Sequence, residues 1–176
     1  GLYDDLKKLA NNGKSAFFGL RFRHKFFIQW ILAFVIAVIM YKALGYDFVF
    51  IRGIGLADLG FLFIPFAAFV IVSFTNAFNI ADGLDGLASG LLLICLVAFL
   101  AITANQLQEP LGIFIAILMG SVSAFLYFNI HKARIWLGDV GALSLGACLA
   151  VIGLLTGKTV ALVFIGGVFV LEISSS

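Results

Sequence analysis

Three short segments of this chain combine residue types that could bind a charged ligand or transfer a phosphate group. The first is Asp4-Asp5-Leu6-Lys7-Lys8, a carboxylate pair followed by a lysine that a helix would place on the same face as Asp5. Such a pair can act as a base or stand beside a metal ion, while Lys8 can bind a phosphate. The alternative is a charged helix end just outside a membrane.

The second segment, residues 76–88, contains two asparagines followed by two Asp-Gly pairs that lie three residues apart. Asn76 and Asn79 precede Asp82 and Asp85, and amides near membrane depth are costly unless they find hydrogen-bond partners. A ligand could supply those partners. Asp85 could instead cap the helix that follows it, because aspartate favours the N-cap position.

The third segment, residues 128–143, joins an amide, several cations, an aromatic ring and an acid. Its polar and aromatic members include Asn129, His131, Lys132, Arg134, Trp136 and Asp139. Gly138 and Gly141 flank Asp139 and would let the backbone approach a ligand closely, so this acid is placed to meet a metal-bound phosphate. Trp136 could instead be an aromatic anchor at the membrane interface, and His131 a polar loop residue.

Carboxylates from these segments would repel one another if they converged on one site. Two of them about 4 Å apart repel by roughly 4 kcal/mol at an effective dielectric constant near 20, so a divalent cation or a lysine must offset the charge. Oxygen ligands suit magnesium or manganese. The two cysteines, Cys95 and Cys148, lie in apolar runs and indicate neither a zinc site nor a disulfide.

The elements that must position these segments are membrane-spanning helices. The 176 residues are 63% hydrophobic and 11% charged, whereas soluble domains are roughly 45–50% apolar and about 25% charged. Apolar runs close to the roughly 20 residues of a span cover 26–44, 59–80, 87–104, 111–129, 141–156 and 159–173. Pro65, inside the second run, predicts a kink there. The sequence predicts an all-α, polytopic membrane protein with about six transmembrane helices in a single domain, 1–176.

The basic residues predict which ends of these helices face the cytoplasm. Eight of the eleven Lys and Arg residues fall on one side, before the first span and between the fourth and fifth spans. The positive-inside rule makes that side cytoplasmic. The acids predicted to share it include Asp4, Asp5, Asp82, Asp85 and Asp139, whereas Asp47, Asp58 and Glu109 fall on the other side. The sequence therefore predicts an acidic site at the cytoplasmic face.

Taken together, the three segments resemble the polyprenyl-phosphate N-acetylhexosamine-1-phosphate transferase superfamily, most closely its branch of phospho-N-acetylmuramoyl-pentapeptide transferases. Further agreement comes from Gly19-Leu20, Arg23, Lys25, Gln29 and the run from Gly166 to Glu172. The resemblance implies magnesium-dependent transfer of phospho-N-acetylmuramoyl-pentapeptide from UDP-N-acetylmuramoyl-pentapeptide to undecaprenyl phosphate, with release of UMP. This is the first membrane step of peptidoglycan synthesis, at the cytoplasmic face of the bacterial inner (plasma) membrane.

The resemblance also implies roles for individual residues. Asp4, Asp5 and Asp139 match catalytic residues, and Asp139 matches the magnesium ligand. The residues that match substrate-binding positions are Lys8, Lys25, Asn76, Asn79, Asp82, Asp85, Asn129 and Trp136. Trp136 stands where a stacking Phe is usual. Because the family has spans before the Asp pair and a histidine-rich loop after the last segment, this chain is expected to be a fragment; the family is compatible with a homodimer, and no nucleic-acid partner is indicated.

Other functions stay open at this point. A sister enzyme could move N-acetylglucosamine-1-phosphate or a related sugar phosphate onto the same lipid, since the choice of sugar depends partly on the histidine-rich loop. A membrane transporter or a purely structural membrane subunit is the alternative from outside the enzymes. A transporter would spread its acids through the depth of the bilayer, whereas these acids gather at one face.

Overall fold

The computed structural model describes residues 22–51, 55–105 and 109–157, and within these ranges it contains five long helices. They are α1 (Phe22–Ala43), α2 (Phe63–Ala81), α3 (Leu87–Asn105), α4 (Glu109–Asn129) and α5 (Gly138–Leu155). All five are long and apolar enough to cross a membrane. They confirm the all-α polytopic class and the first five predicted spans; the sixth, 159–173, lies outside the described residues.

A small β-hairpin, which the sequence analysis does not predict, connects α1 to α2. Strand β1 (Phe48–Ile51) pairs antiparallel with β2 (Gly55–Asp58). Its first strand consists of aromatic and β-branched residues, which favour strands, but the segment is much shorter than a membrane span and so is not an apolar run of spanning length. Beside the hairpin, the Tyr46 hydroxyl donates to the Leu155 carbonyl at 2.9 Å and ties this connection to the end of α5.

Pro65 does not produce the predicted kink inside the second span. A 3-10 turn (Gly60–Leu62) leads into α2, and Pro65 is the third residue of that helix. The first four N–H groups of a helix have no acceptor within it, so a residue without an N–H costs no hydrogen bond here. The prediction is wrong because the helix begins only two residues before the proline.

Helix α2 lies at the centre of the fold, packed against α1 on one side and α5 on the other, while α3 packs mainly on α4. Its inner face is fully buried, with Phe63, Ala67 and Phe78 among the side chains least exposed. The approach of α5 is close at Gly146, where an added Cβ would lie 2.8 Å from the Phe78 Cβ and 2.9 Å from the Phe74 carbonyl oxygen. Small residues at such crossings let membrane helices pack closely.

Gly146→Ala is therefore expected to destabilise the protein, because the methyl group would push α5 away from the α2 backbone. Overpacking of this kind costs about 1–3 kcal/mol, and the midpoint of thermal unfolding in detergent should fall accordingly. The matched control is Gly120→Ala on α4, where an added Cβ meets nothing within 4 Å. Equal midpoints for the two variants would contradict the α2–α5 packing.

The helices place the described acids at two opposite ends of the bundle. We call one of them the polar end; it comprises the first turn of α1, loop 82–86, loop 130–137 and the first turn of α5. Asp82, Asp85 and Asp139 lie there, as predicted, whereas Asp47, Asp58 and Glu109 lie with the hairpin and the α3–α4 connection at the other end. The alternation of helices thus brings three distant stretches of chain to one place.

Candidate active site

An ion pair between α1 and α5 lies at the polar end. The Lys25 Nζ donates to the Asp139 Oδ2 at 2.8 Å, across 114 positions of sequence, with 23% and 31% of the two side chains exposed. Asp139 is in the first turn of α5, and the positive end of the helix dipole favours a negative charge at this position. The pair therefore presents opposite charges that are partly shielded from water.

The glycines around Asp139 have structural tasks that the sequence analysis does not anticipate. Gly138 has φ +66°, a conformation that other residues rarely adopt, and it turns the chain from the loop into α5 immediately before Asp139. A Cβ on Gly141 would lie 2.5 Å from the Leu137 Cγ. The two glycines thus allow the backbone geometry and the packing that hold Asp139 opposite Lys25.

The ion pair lies on the wall of a cavity of about 430 Å³ between α1, α2 and α5. Two predicted substrate-binding residues, Asn76 and Asn79, line it together with Lys25 and Asp139. The rest of the wall is mostly apolar and aromatic, including Trp30 and Phe69. An apolar cavity with a few convergent polar groups is the usual form of a small-molecule site, so the described residues place four predicted site residues around one candidate ligand position.

Gln29 lines the same cavity, although the sequence analysis assigns it no role. Its Oε1 accepts a hydrogen bond from the Asn76 Nδ2 at 2.9 Å, which links α1 to α2. Two signals pointed to it: Gln29 agrees with the family that the sequence resembles, and it follows Lys25 by four residues, so a helix puts both on one face. Its place in the site is nevertheless not among the predicted roles.

Asp82 and Asp85 are at the polar end but are not among the described residues that line this cavity. Asp82 caps the end of α2 through its backbone N–H, and burial raises the pKa of its carboxyl group above the ordinary value. A partly desolvated acid near a cavity is typical of functional sites. Of the acids that the structure describes, Asp139 alone reaches the cavity wall.

Asn129 forms the main connection between the two loops of the polar end. Its Oδ1 accepts from the Gly86 N–H at 3.0 Å and from the Ser89 hydroxyl at 3.2 Å, while its Nδ2 donates to the Ile135 carbonyl at 2.9 Å. Only 3% of its surface is exposed. Asn129 thus positions the start of α3 against loop 130–137, and its contact with a substrate stays a prediction.

Asp85 makes a second link between these loops and does not cap α3 by any described hydrogen bond. Its Oδ2 accepts from the Ala133 N–H at 3.1 Å, and the His131 Nδ1 lies 4.0 Å from the same oxygen. The loop geometry also depends on Gly86, whose φ of +76° is unfavourable for a side chain. The second and third segments therefore meet through Asp85 and Asn129, as one unit beside the cavity.

Trp136 lies on loop 130–137, three residues before Asp139, with 71% of its surface exposed. An exposed ring on this loop is free to stack on a planar group or to sit at the membrane interface, and both predictions stay open. Asp4, Asp5 and Lys8 lie outside the described residues, as does the segment from Gly166 to Glu172.

The predicted magnesium site can be tested against the donors present. Within the described ranges, no three His, Cys, Asp or Glu side chains come together. Magnesium is commonly held by one or two carboxylates, with phosphate oxygens and water completing its octahedron. A single cavity acid such as Asp139 fits that pattern, because a phosphorylated substrate would supply the further oxygens.

Comparison with known proteins shows the family to which the sequence of this chain belongs. The family model described as "Glycosyl transferase family 4" matches residues 1–157. The phospho-N-acetylmuramoyl-pentapeptide-transferase of Desulfotalea psychrophila is 38% identical over 191 residues, covering 98% of this chain and 52% of the relative. Those of Wolbachia pipientis and Limosilactobacillus fermentum are 39% and 38% identical, covering 98% of this chain and 53% and 51% of the relatives. The chain thus spans about half the length of these curated relatives.

Proposed function

This chain belongs to glycosyl transferase family 4, and from that premise we propose that its protein makes the first lipid-linked intermediate of peptidoglycan. It transfers phospho-N-acetylmuramoyl-pentapeptide from UDP-N-acetylmuramoyl-pentapeptide to undecaprenyl phosphate and releases UMP. The observation that carries the proposal is the Lys25–Asp139 pair on the wall of a cavity at one end of a bundle of membrane-spanning helices. The names of the relatives support the choice of sugar.

In this reaction a phosphate oxygen of the lipid attacks the β-phosphorus of the UDP donor. The bond from that phosphorus to the bridging oxygen breaks, and UMP leaves with the bond electrons. Phosphoryl transfer depends mainly on positioning and on neutralising charge. Lys25 would bind a phosphate oxygen, and the amides of Asn76 and Asn79 would orient the donor in the cavity. Because the lipid phosphate is already an anion, Asp4 or Asp5 has only to orient it.

Asp139 would hold the magnesium ion, as its carboxylate is the described acid on the cavity wall. When bound there, magnesium neutralises charge on the diphosphate and on the departing UMP. Lys25 would keep a positive charge beside the carboxylate while the anionic substrates arrive, and would prevent repulsion between Asp139 and their phosphates.

We propose that the polar end faces the cytoplasm of a bacterium and that the protein lies in its inner membrane. Loop 130–137 carries Lys132 and Arg134, whereas the connection at the opposite end of α1 carries Lys42 and Arg52. The larger imbalance comes from the basic residues before α1, which follow the positive-inside rule. A water-soluble nucleotide could then meet a membrane-dissolved lipid at the interface.

One experiment tests both the reaction and its sidedness. Membranes with and without the expressed full-length protein are sealed as inverted or right-side-out vesicles, and release of UMP and formation of lipid-linked sugar are measured. Inverted vesicles should use externally added UDP-N-acetylmuramoyl-pentapeptide, and right-side-out vesicles should not. Preference for UDP-N-acetylglucosamine would identify the sister enzyme instead, and the absence of product from either donor would contradict a transferase.

A further inference from the structure

Gln29 occupies a distinctive position on α1, one helical turn deeper into the bundle than Lys25. It joins the cavity that holds the ion pair to a second cavity of about 250 Å³, and both are lined by Lys25, Gln29, Val72 and Leu143. Helix α1 borders the second cavity with aliphatic side chains, and Thr75 and Ser144 add two hydroxyl groups to its wall; the aliphatic residues are Ile28, Leu32, Ala33 and Ile36. Gln29 therefore lies where the first cavity continues into the second, which we call the apolar groove after the aliphatic side chains that α1 contributes to it.

The hydrogen bonds around Gln29 determine how its amide is oriented. The Asn76 Nδ2 donates both to the Val72 carbonyl at 2.8 Å and to the Gln29 Oε1 at 2.9 Å. A backbone carbonyl can only accept a hydrogen bond, so the amide nitrogen of Asn76 must face the Val72 carbonyl. Because that same nitrogen also faces Gln29, the Gln29 atom next to it must be the amide oxygen. The Gln29 nitrogen is thereby left pointing elsewhere.

Within the described part of the chain, the Gln29 Nε2 donates to no protein acceptor. This half-buried N–H faces the cavities and can bond to a ligand that enters them. Lys25, four residues earlier on the same face, brings a cation that is paired with Asp139. A donor and a cation side by side, at the mouth of an apolar groove, are suited to a phosphate that carries an apolar chain.

We propose that Gln29 is a substrate-binding residue of this site and that it donates from its Nε2 to the phosphate of the lipid acceptor. The inference rests on the proposed function. A nucleotide reaches the cavity from water, whereas a lipid phosphate arrives from the bilayer with its chain in the groove. Gln29 lies on the bilayer side of Lys25 and therefore meets the lipid. The neutral amide does so without the cost of burying another charge.

Gln29→Glu separates this role from a structural one. A glutamate oxygen can still accept from the Asn76 Nδ2, so the link between α1 and α2 survives, but the donor is replaced by an anion that repels phosphate. In the full-length protein we expect the KM for undecaprenyl phosphate to rise about 100-fold, with the KM for the UDP donor changed less than about twofold. Gln29→Met, which only removes the hydrogen bonds, should raise the first KM about tenfold.

Asn105→Leu is the control at the opposite end of the bundle, where the Asn105 amide donates to a carbonyl of its own helix at 2.8 Å. Its two KM values should equal those of the unmodified protein. If Gln29 serves only to hold α1 against α2, Gln29→Glu will behave like the unmodified protein, and Gln29→Met will lower the unfolding midpoint without a selective change in KM. Either result overturns the proposal.

A binding measurement tests the phosphate-binding role of Gln29 independently of the proposed reaction. Undecaprenyl phosphate should raise the unfolding midpoint of the unmodified protein in detergent more than undecaprenol does, and Gln29→Glu should abolish the difference. Suppose that no lipid-linked sugar forms, but that undecaprenyl phosphate raises the midpoint more than undecaprenol does and Gln29→Glu loses this difference. The reaction is then refuted, and the phosphate-binding role of Gln29 stands. An equal shift with both lipids, or in both proteins, refutes that role.

Discussion

Asp139→Asn in the full-length protein is expected to lower turnover by about 10³-fold or more, with membrane insertion unchanged. Asparagine can still accept the hydrogen bond from Lys25, so the α1–α5 contact is kept. The negative charge is lost, and with it the carboxylate proposed to hold magnesium next to the diphosphate. Removal of one charge-stabilising group costs about 10²–10³ in rate in other enzymes, and loss of the metal would add to this. Formation of lipid-linked sugar at saturating substrates measures the effect.

The matched control for this substitution is Asp58→Asn on the hairpin at the opposite end of the bundle. The Asp58 Oδ1 accepts from the Gly60 N–H at 2.8 Å, and an asparagine oxygen can do the same. This variant should keep the turnover of the unmodified protein. A magnesium titration adds a second readout, because Asp139→Asn should require much more metal for any remaining activity. Undiminished turnover in Asp139→Asn would remove this residue from the reaction.

Lys25→Met should lower turnover by about 10²-fold. Methionine fills much of the same space but removes the cation that pairs with Asp139 and is proposed to bind phosphate. The Asp139 carboxylate would then face incoming phosphates without the neighbouring positive charge, and repulsion would raise the barrier to transfer. Initial rates with both substrates saturating measure the loss, and the KM values show how much of it lies in binding.

The same substitution at the far end of α1, Lys42→Met, tests whether charge alone matters. Lys42 is an exposed residue in the last turn of that helix, and its loss should leave the rate unchanged. The fold-loss of turnover in the double variant Lys25→Met, Asp139→Asn should be much smaller than the product of the two single fold-losses, because the two residues act as a unit. Multiplicative losses would show that the pair seen at 2.8 Å is not a functional one.

Much of the fold could be predicted because burial in a membrane is a local property of the sequence. About 20 apolar residues suffice to span a bilayer, so 87–104 and 111–129 predict α3 and α4 to within two residues at each end. The hairpin was not predicted because four-residue strands depend on a pairing partner rather than on composition. The kink at Pro65 was wrongly predicted because the effect of a proline depends on where the helix begins.

The class of protein, its first five spans and the grouping of the described acids at the ends of the bundle all follow from the sequence, because apolar length and charge alternation need no knowledge of distant contacts. Which polar side chains share the cavity depends on the tertiary structure. In the folded chain Lys25 pairs with Asp139, and Asp85 and Asn129 join two loops. The hydrogen bond from Asn76 sets the orientation of the Gln29 amide. A hydrogen bond requires its atoms to lie within a few tenths of an ångström of one distance. Only the packing of helices far apart in sequence sets positions that finely.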